Sequence, residues 1–107
     1  MASSKAFLEF VLDQLSELEE LSYRSMMGEY ILYCQKKVIG GIYDDRLLLK
    51  PTKSAQHLME ESGRTLQWEL PYPGAKEMLA ADVDDRELCC RMIRAMVEEL
   101  PAPKAKR

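Results

Sequence analysis

Few residues in this chain of 107 are of the types that do chemistry. His57 is its one histidine, so a catalytic triad or a histidine-dependent metal site would have to use it. It lies in a short charged segment with no serine or cysteine placed for it to activate, and it reads as a surface side chain. Cys34, Cys89 and Cys90 make an odd set without a CxxC pair, which argues against a disulfide framework and fits a reducing cytosol. Cys89 and Cys90 invite a redox reading. Adjacent residues on a helix point about 100° apart, however, so buried or half-buried thiols are expected instead. The acidic pairs Glu19-Glu20, Glu60-Glu61 and Asp84-Asp85 lack the spacing of a calcium loop and read as solvated helix faces and a helix cap. With no nucleophile–base pair and no metal-ligand cluster, the expectation is a protein that is not an enzyme and takes no cofactor or metal.

The most patterned stretch is "SMMGEYILYCQKKVIGGIYDDRLLLK", residues 25–50. Its glycines, Gly28, Gly40 and Gly41, raise the possibility of a phosphate-binding loop. That chemistry needs clustered glycines between a strand and a helix, so that backbone N–H groups surround the phosphate. Here they are spread through strand-like text with no Gly-Lys-Ser/Thr following. Gly40-Gly41 are expected to mark a bulge or the close approach of a packed helix.

The elements around that stretch follow from periodicity. Residues 4–20 carry Phe7, Phe10, Val11, Leu15 and Leu18 at helical spacing, with Ser3 or Ser4 able to cap the start. Residues 22–27 alternate weakly and could be a short strand or the lead-in to one. Residues 29–34, 38–43 and 46–50 read as three strands of an antiparallel meander, with Asp44-Asp45 as one turn because aspartate tolerates positive φ. Residues 52–63 read as a short helix between a Thr52 cap and Gly63, and residues 65–70 as a half-buried strand. Residues 76–83 can be read as strand or helix. Asp84 and Glu87 resemble a capping box opening a last helix with an apolar stripe from Leu88 to Leu100, stopped by Pro101. Met92 and Met96 are expected in the core. The sum is an α+β domain of two layers, with an antiparallel sheet of four to six strands and three helices, N-terminal, middle and C-terminal, in the order α-β(3)-α-β(2)-α. One domain spans residues 1–100, and residues 101–107 form a flexible basic tail that keeps the chain in solution.

The net charge of -3 argues against a protein built to coat nucleic acid. No run of 18 apolar residues occurs and no signal-peptide core is seen, so a cytoplasmic protein is expected. The strands offer no plainly polar face. Tyr30, Leu32 and Cys34 would face one way, Ile31 and Tyr33 the other; Val38 and Ile42 would oppose Ile39 and Tyr43. Three helices can cover one face. The other face would meet a protein partner or a second copy, with Tyr33, Ile39, Tyr43 and Trp68 as the candidate surface, or else the helices and residues 71–83 would wrap both faces of a monomer. Trp68 and Tyr72 also invite an aromatic platform for bases or a peptide, although a strand aromatic is more often core. An alternative is direct nucleic-acid binding through Lys36, Lys37, Arg46 and Lys50 along the meander.

Met26, Gly28 and Tyr30, then Tyr33, Lys37, Asp44, Arg46, Leu47, Leu49 and Lys50 make the stretch similar to the TfoX N-terminal domain family, with its Met-Phe-Gly-Gly-Tyr-like segment and following hairpin. The resemblance covers roughly residues 5–100. Met27 stands where phenylalanine is usual, and Glu29 where a second glycine is usual. The resemblance implies a small α+β domain similar to type III secretion chaperones, often dimeric, with a regulatory or protein-binding role linked to transcription or competence. It implies no enzymatic activity and no direct control of competence genes by a single domain.

Overall fold

The computed structural model describes residues 3–101, and residues 102–107 of the expected tail lie outside them. Three helices, α1 (Lys5–Gln14), α2 (Lys53–Glu61) and α3 (Arg86–Glu99), accompany six strands. The strands are β1 (Leu21–Met26), β2 (Glu29–Cys34), β3 (Lys37–Ile42), β4 (Leu47–Leu49), β5 (Trp68–Glu69) and β6 (Met78–Ala80). They form one antiparallel sheet in the order β1-β2-β3-β4-β6-β5. The α+β architecture is the expected one. Of the two readings of residues 22–27 the short strand holds, as β1, and the strand reading of residues 76–83 holds over Met78–Ala80, as β6. The strand expected over 65–70 keeps only Trp68–Glu69.

The first four strands are joined by three two-residue turns whose residues all have positive φ: Met27 and Gly28, Gln35 and Lys36, Asp44 and Asp45. This geometry matches the right-handed twist of the flanking strands, which is why such turns dominate short hairpins. Aspartate tolerates the left-handed conformation through local hydrogen bonding; methionine, glutamine and lysine do not share that advantage. Sheet pairing on both sides holds them there.

Each helix start is capped by an oxygen. Ser4 Oγ accepts from Phe7 N at 3.1 Å, Thr52 Oγ1 from Ala55 N at 3.2 Å, and Asp85 Oδ1 from Leu88 N at 3.1 Å. The last corrects the capping box expected on Asp84 and Glu87 by one residue. The helix expected over 4–20 ends at Gln14. Arg86 reaches its last turn, donating to the carbonyls of Asp13 at 2.9 Å and Gln14 at 3.1 Å. Leu15 and Leu18 stay buried, carried inward by tight turns instead of helix.

One apolar cluster joins Leu8, Val11 and Leu15 with Leu32, Ile39, Ile42, Leu47, Leu49 and Leu79 of the sheet and Met92, Ile93 and Met96 of α3. Each such buried aliphatic side chain contributes on the order of 1.5–3 kcal/mol. Both methionines of α3 are core, as their spacing implied.

The glycine pair explains how the sheet closes over that core. Leu32 pairs with Gly40, but Tyr33 pairs with Val38, so Ile39 is an extra residue in β3. A Cβ on Gly40 would lie 2.1 Å from the Leu48 carbonyl oxygen, and one on Gly41 2.6 Å from that of Tyr30 and 2.7 Å from the Tyr43 ring. The close approach comes from neighbouring strands and a tyrosine ring, not from a helix. Gly74, by contrast, has open space around it. Gly40→Ala is therefore expected to lower stability by about 3 kcal/mol or more, because backbone would have to shift, whereas Gly74→Ala should cost only about 1–2 kcal/mol for its left-handed φ. Urea denaturation of the two variants measures the difference; equal losses would contradict the close approach at Gly40.

Candidate interaction surface

The bulge decides which side chains point away from the helices. Plain alternation groups Ile39 with Tyr43 and Val38 with Ile42. The inserted residue reverses part of that grouping. Ile39 joins Ile42 in the core and is 0% exposed, so it is withdrawn from the candidate surface. Val38, paired with Tyr33, takes its place on the outward face.

That face carries Ile31 and Tyr33 of β2, Val38 of β3 and Met78 of β6, all half-buried. Tyr43 also points outward but is buried, as is Leu48. Both belong to this side, since neither is part of the helix-side cluster. The segment between β5 and β6 lies against them, with the Tyr72 ring 6.3 Å from that of Tyr43. Burial pushes the Tyr43 phenol pKa up, with Tyr72 adding to the shift. Between this segment and the sheet runs an open groove of about 760 Å³, bordered by Val38, Tyr43, Lys50, Tyr72, Lys76 and Met78. It is shallow, apolar along its floor and charged at its rim.

Trp68 is elsewhere. It pairs with Leu79, a core residue, so it sits on the helix side of the sheet, at the far edge and 42% exposed. It is neither core nor part of a platform with Tyr72. Two of the expected surface residues, Tyr33 and Tyr43, are thus brought to one face; Ile39 and Trp68 are not.

The remaining signature residues build the frame. Gly28 and Asp44 occupy turns with φ 85° and 53°. Tyr30 packs edge-on against Tyr23 at 5.8 Å. Leu47 is core. Met26 ends the edge strand, 45% exposed. Arg46 pairs with Glu69 and donates to the carbonyls of Tyr43 and Leu70 at 3.1 Å each, tying the β3–β4 turn to β5. Glu29, the departure from the family pattern, accepts from Ser3 N at 2.9 Å, Ser3 Oγ at 2.5 Å and Asp44 N at 3.1 Å. It binds the N-terminal segment to two turns at once.

The four basic residues of the nucleic-acid reading are likewise divided. The Lys37 ammonium donates to the carbonyls of Val97 at 2.6 Å and Leu100 at 2.9 Å, capping the end of α3. Arg46 is held by Glu69. Lys36 and Lys50 are left to face solvent or the groove.

The chemistry-bearing side chains are not gathered. His57 is on the surface, 3.0 Å from Glu61. Among the described residues no group of three or more His, Cys, Asp or Glu side chains is placed to hold a metal ion. All three cysteines are free and buried. Desolvation pushes the Cys89 thiol up to about 12, with Asp85 adding to the shift, and burial raises Cys34 and Cys90 as well. Thiols kept protonated in this way are poor nucleophiles. At pH 8 the folded protein should react slowly with a thiol reagent, and all three cysteines should react at once in urea. Rapid labelling of Cys89 or Cys90 in the folded state would contradict this.

Comparison with known proteins agrees with the frame. The TfoX N-terminal domain profile matches residues 13–100. An uncharacterized 12.7 kDa protein in the trpE 5' region of Spirochaeta aurantia is 36% identical over 111 aligned positions, covering 100% of this chain and 91% of that protein. With the signature residues placed in the turns and ties that shape the sheet, the chain belongs to the TfoX N-terminal domain family.

Proposed function

We propose that this protein is a non-enzymatic interaction module of the bacterial cytoplasm, which holds a protein partner against the outward face of its sheet. Membership of its family supports a link to transcription or competence regulation. The observation that carries the reading is the outward face itself. Ile31, Tyr33, Val38 and Met78 stay half-exposed beside a groove that Tyr72, 56% exposed, overhangs. Aromatic and aliphatic side chains in a shallow groove with a charged rim are the anatomy of a protein contact. Direct nucleic-acid binding has less support, since Lys37 and Arg46 are already engaged inside the fold.

Affinity purification from the native host tests the proposal, with the wild-type chain and a Val38→Glu variant run in parallel. A partner recovered by the wild type should be reduced at least tenfold by Val38→Glu, with the circular dichroism spectrum unchanged. Recovery of no specific protein at low salt, or of the same partner by both chains, would count against it.

A further inference from the structure

The charges of the outward face are sorted, and the sorting names a class of partner. The inference rests on that face being the docking surface. Its strand carboxylates are consumed by the fold. Glu29 accepts from Ser3 and from Asp44 N, and Glu69, opposite Met78 in the β5–β6 register, is paired with Arg46. Its cations are not consumed. Arg24 stands opposite Ile31 in the β1–β2 register and points outward with it. Lys50 and Lys76 border the groove. Lys36 and Lys50 border a smaller hollow of about 220 Å³, which shares Val38 and Lys50 with the groove. Among the described residues none of these four cations is in an ion pair. Glu77 is the one carboxylate bordering the groove.

The net charge of -3 is thus carried elsewhere, on helix residues such as Glu9, Glu60, Glu87 and Glu98, all exposed. The chain presents an acidic helix layer and, on the opposite side of the sheet, unpaired cations around an apolar floor. Such a polarised surface steers an oppositely charged partner to one face. A second copy of this face would bring like charge to it. So would the C-terminal residues Lys104, Lys106 and Arg107. A nucleic acid would set a row of phosphates against Glu77 and a net negative chain, while Lys37 and Arg46 are held within the fold.

We propose that the occupant is an acidic peptide segment of the partner protein. An aliphatic or aromatic side chain of the segment lies on Val38 and Met78 beneath the Tyr72 ring. Aspartates or glutamates flanking that anchor meet Lys36, Lys50 and Lys76. The anchor sets how long the segment stays, and the exposed lysines set how fast it arrives and how strongly salt opposes it.

Selection from a displayed library of short random peptides, with the full chain as bait, tests the proposal. Enriched peptides should be rich in aspartate and glutamate around an aliphatic or aromatic residue. A selected peptide, synthesised with a fluorophore, should bind about tenfold more weakly in about 0.5 M salt than in about 0.05 M. Lys50→Glu combined with Lys76→Glu should weaken binding at least tenfold at the lower salt. Glu77→Lys should tighten it about threefold, a gain that a misfolded variant would not give. Neutral or basic peptides whose binding is lost with Val38→Glu would overturn this proposal and leave the docking face standing. Enrichment of no peptide, or only of peptides that bind Val38→Glu as well as the wild type, would overturn both. Acidic peptides indifferent to the lysine substitutions would overturn the proposal, as would a fluorescent single-stranded oligonucleotide that binds more tightly than the peptide and is released by the same substitutions.

Discussion

Three strands meet where no side chain fits, and the rest of the structure is arranged around that constraint. At Gly40 the backbone of β4 comes so near β3 that a single Cβ would strike the Leu48 carbonyl. Next to it Ile39 is squeezed out of the β2–β3 register. The extra residue turns Ile39 inward beside Ile42 and leaves Val38 outward beside Tyr33. One inserted residue thus supplies the core with an isoleucine and the outer face with a valine. The Tyr43 ring covers the space above Gly41 and in turn receives Tyr72, so the same pair of glycines determines how the β5–β6 segment lies on the sheet.

Charged side chains then fasten helix ends to elements distant in sequence. Arg86 at the start of α3 caps the end of α1, Lys37 of β3 caps the end of α3, and Glu99 near that end accepts from Lys53 N and Ser54 N at the start of α2. The backbone N–H of Ser54 holds the Glu99 carboxyl below its ordinary range. Arg64 bridges Asp82 and Asp85 at 3.1 and 2.8 Å, fixing the turn before α3. Lys37 and Arg46, two of the four basic residues along the meander, are consumed in this way. Helix dipoles and unsatisfied terminal carbonyls attract them inward.

Periodicity and turn chemistry made most elements legible. The stripe from Leu88 to Val97, the Ser4 and Thr52 caps and the Asp44-Asp45 turn all follow from local rules, and the structure obeys them. The failures have physical causes. The end of α1 is met by Arg86, 73 residues from Asp13, which no local pattern reveals. The faces of β3 depended on a bulge: Gly40-Gly41 signalled one, but not which neighbour would lose register. Trp68 looked like core because it alternates with leucines, yet a two-residue edge strand offers it nothing to lie under. Glu29 looked like a lapse from a family pattern and proved to be a hydrogen-bond hub. Its partners, Ser3 and Asp44, lie 26 and 15 residues away.

The outward face depends on the direction of two adjacent side chains, and methyl-resolved NOE spectroscopy observes it directly. The Ile39 methyl groups should show contacts to methyl groups of α3 in the core, while those of Val38 should show contacts to the Tyr33 ring and none to α3. Val38 methyl groups found among those of α3, with Ile39 against Tyr33, is what uninterrupted alternation requires. That result would contradict the bulge, the outward face and the function built on it.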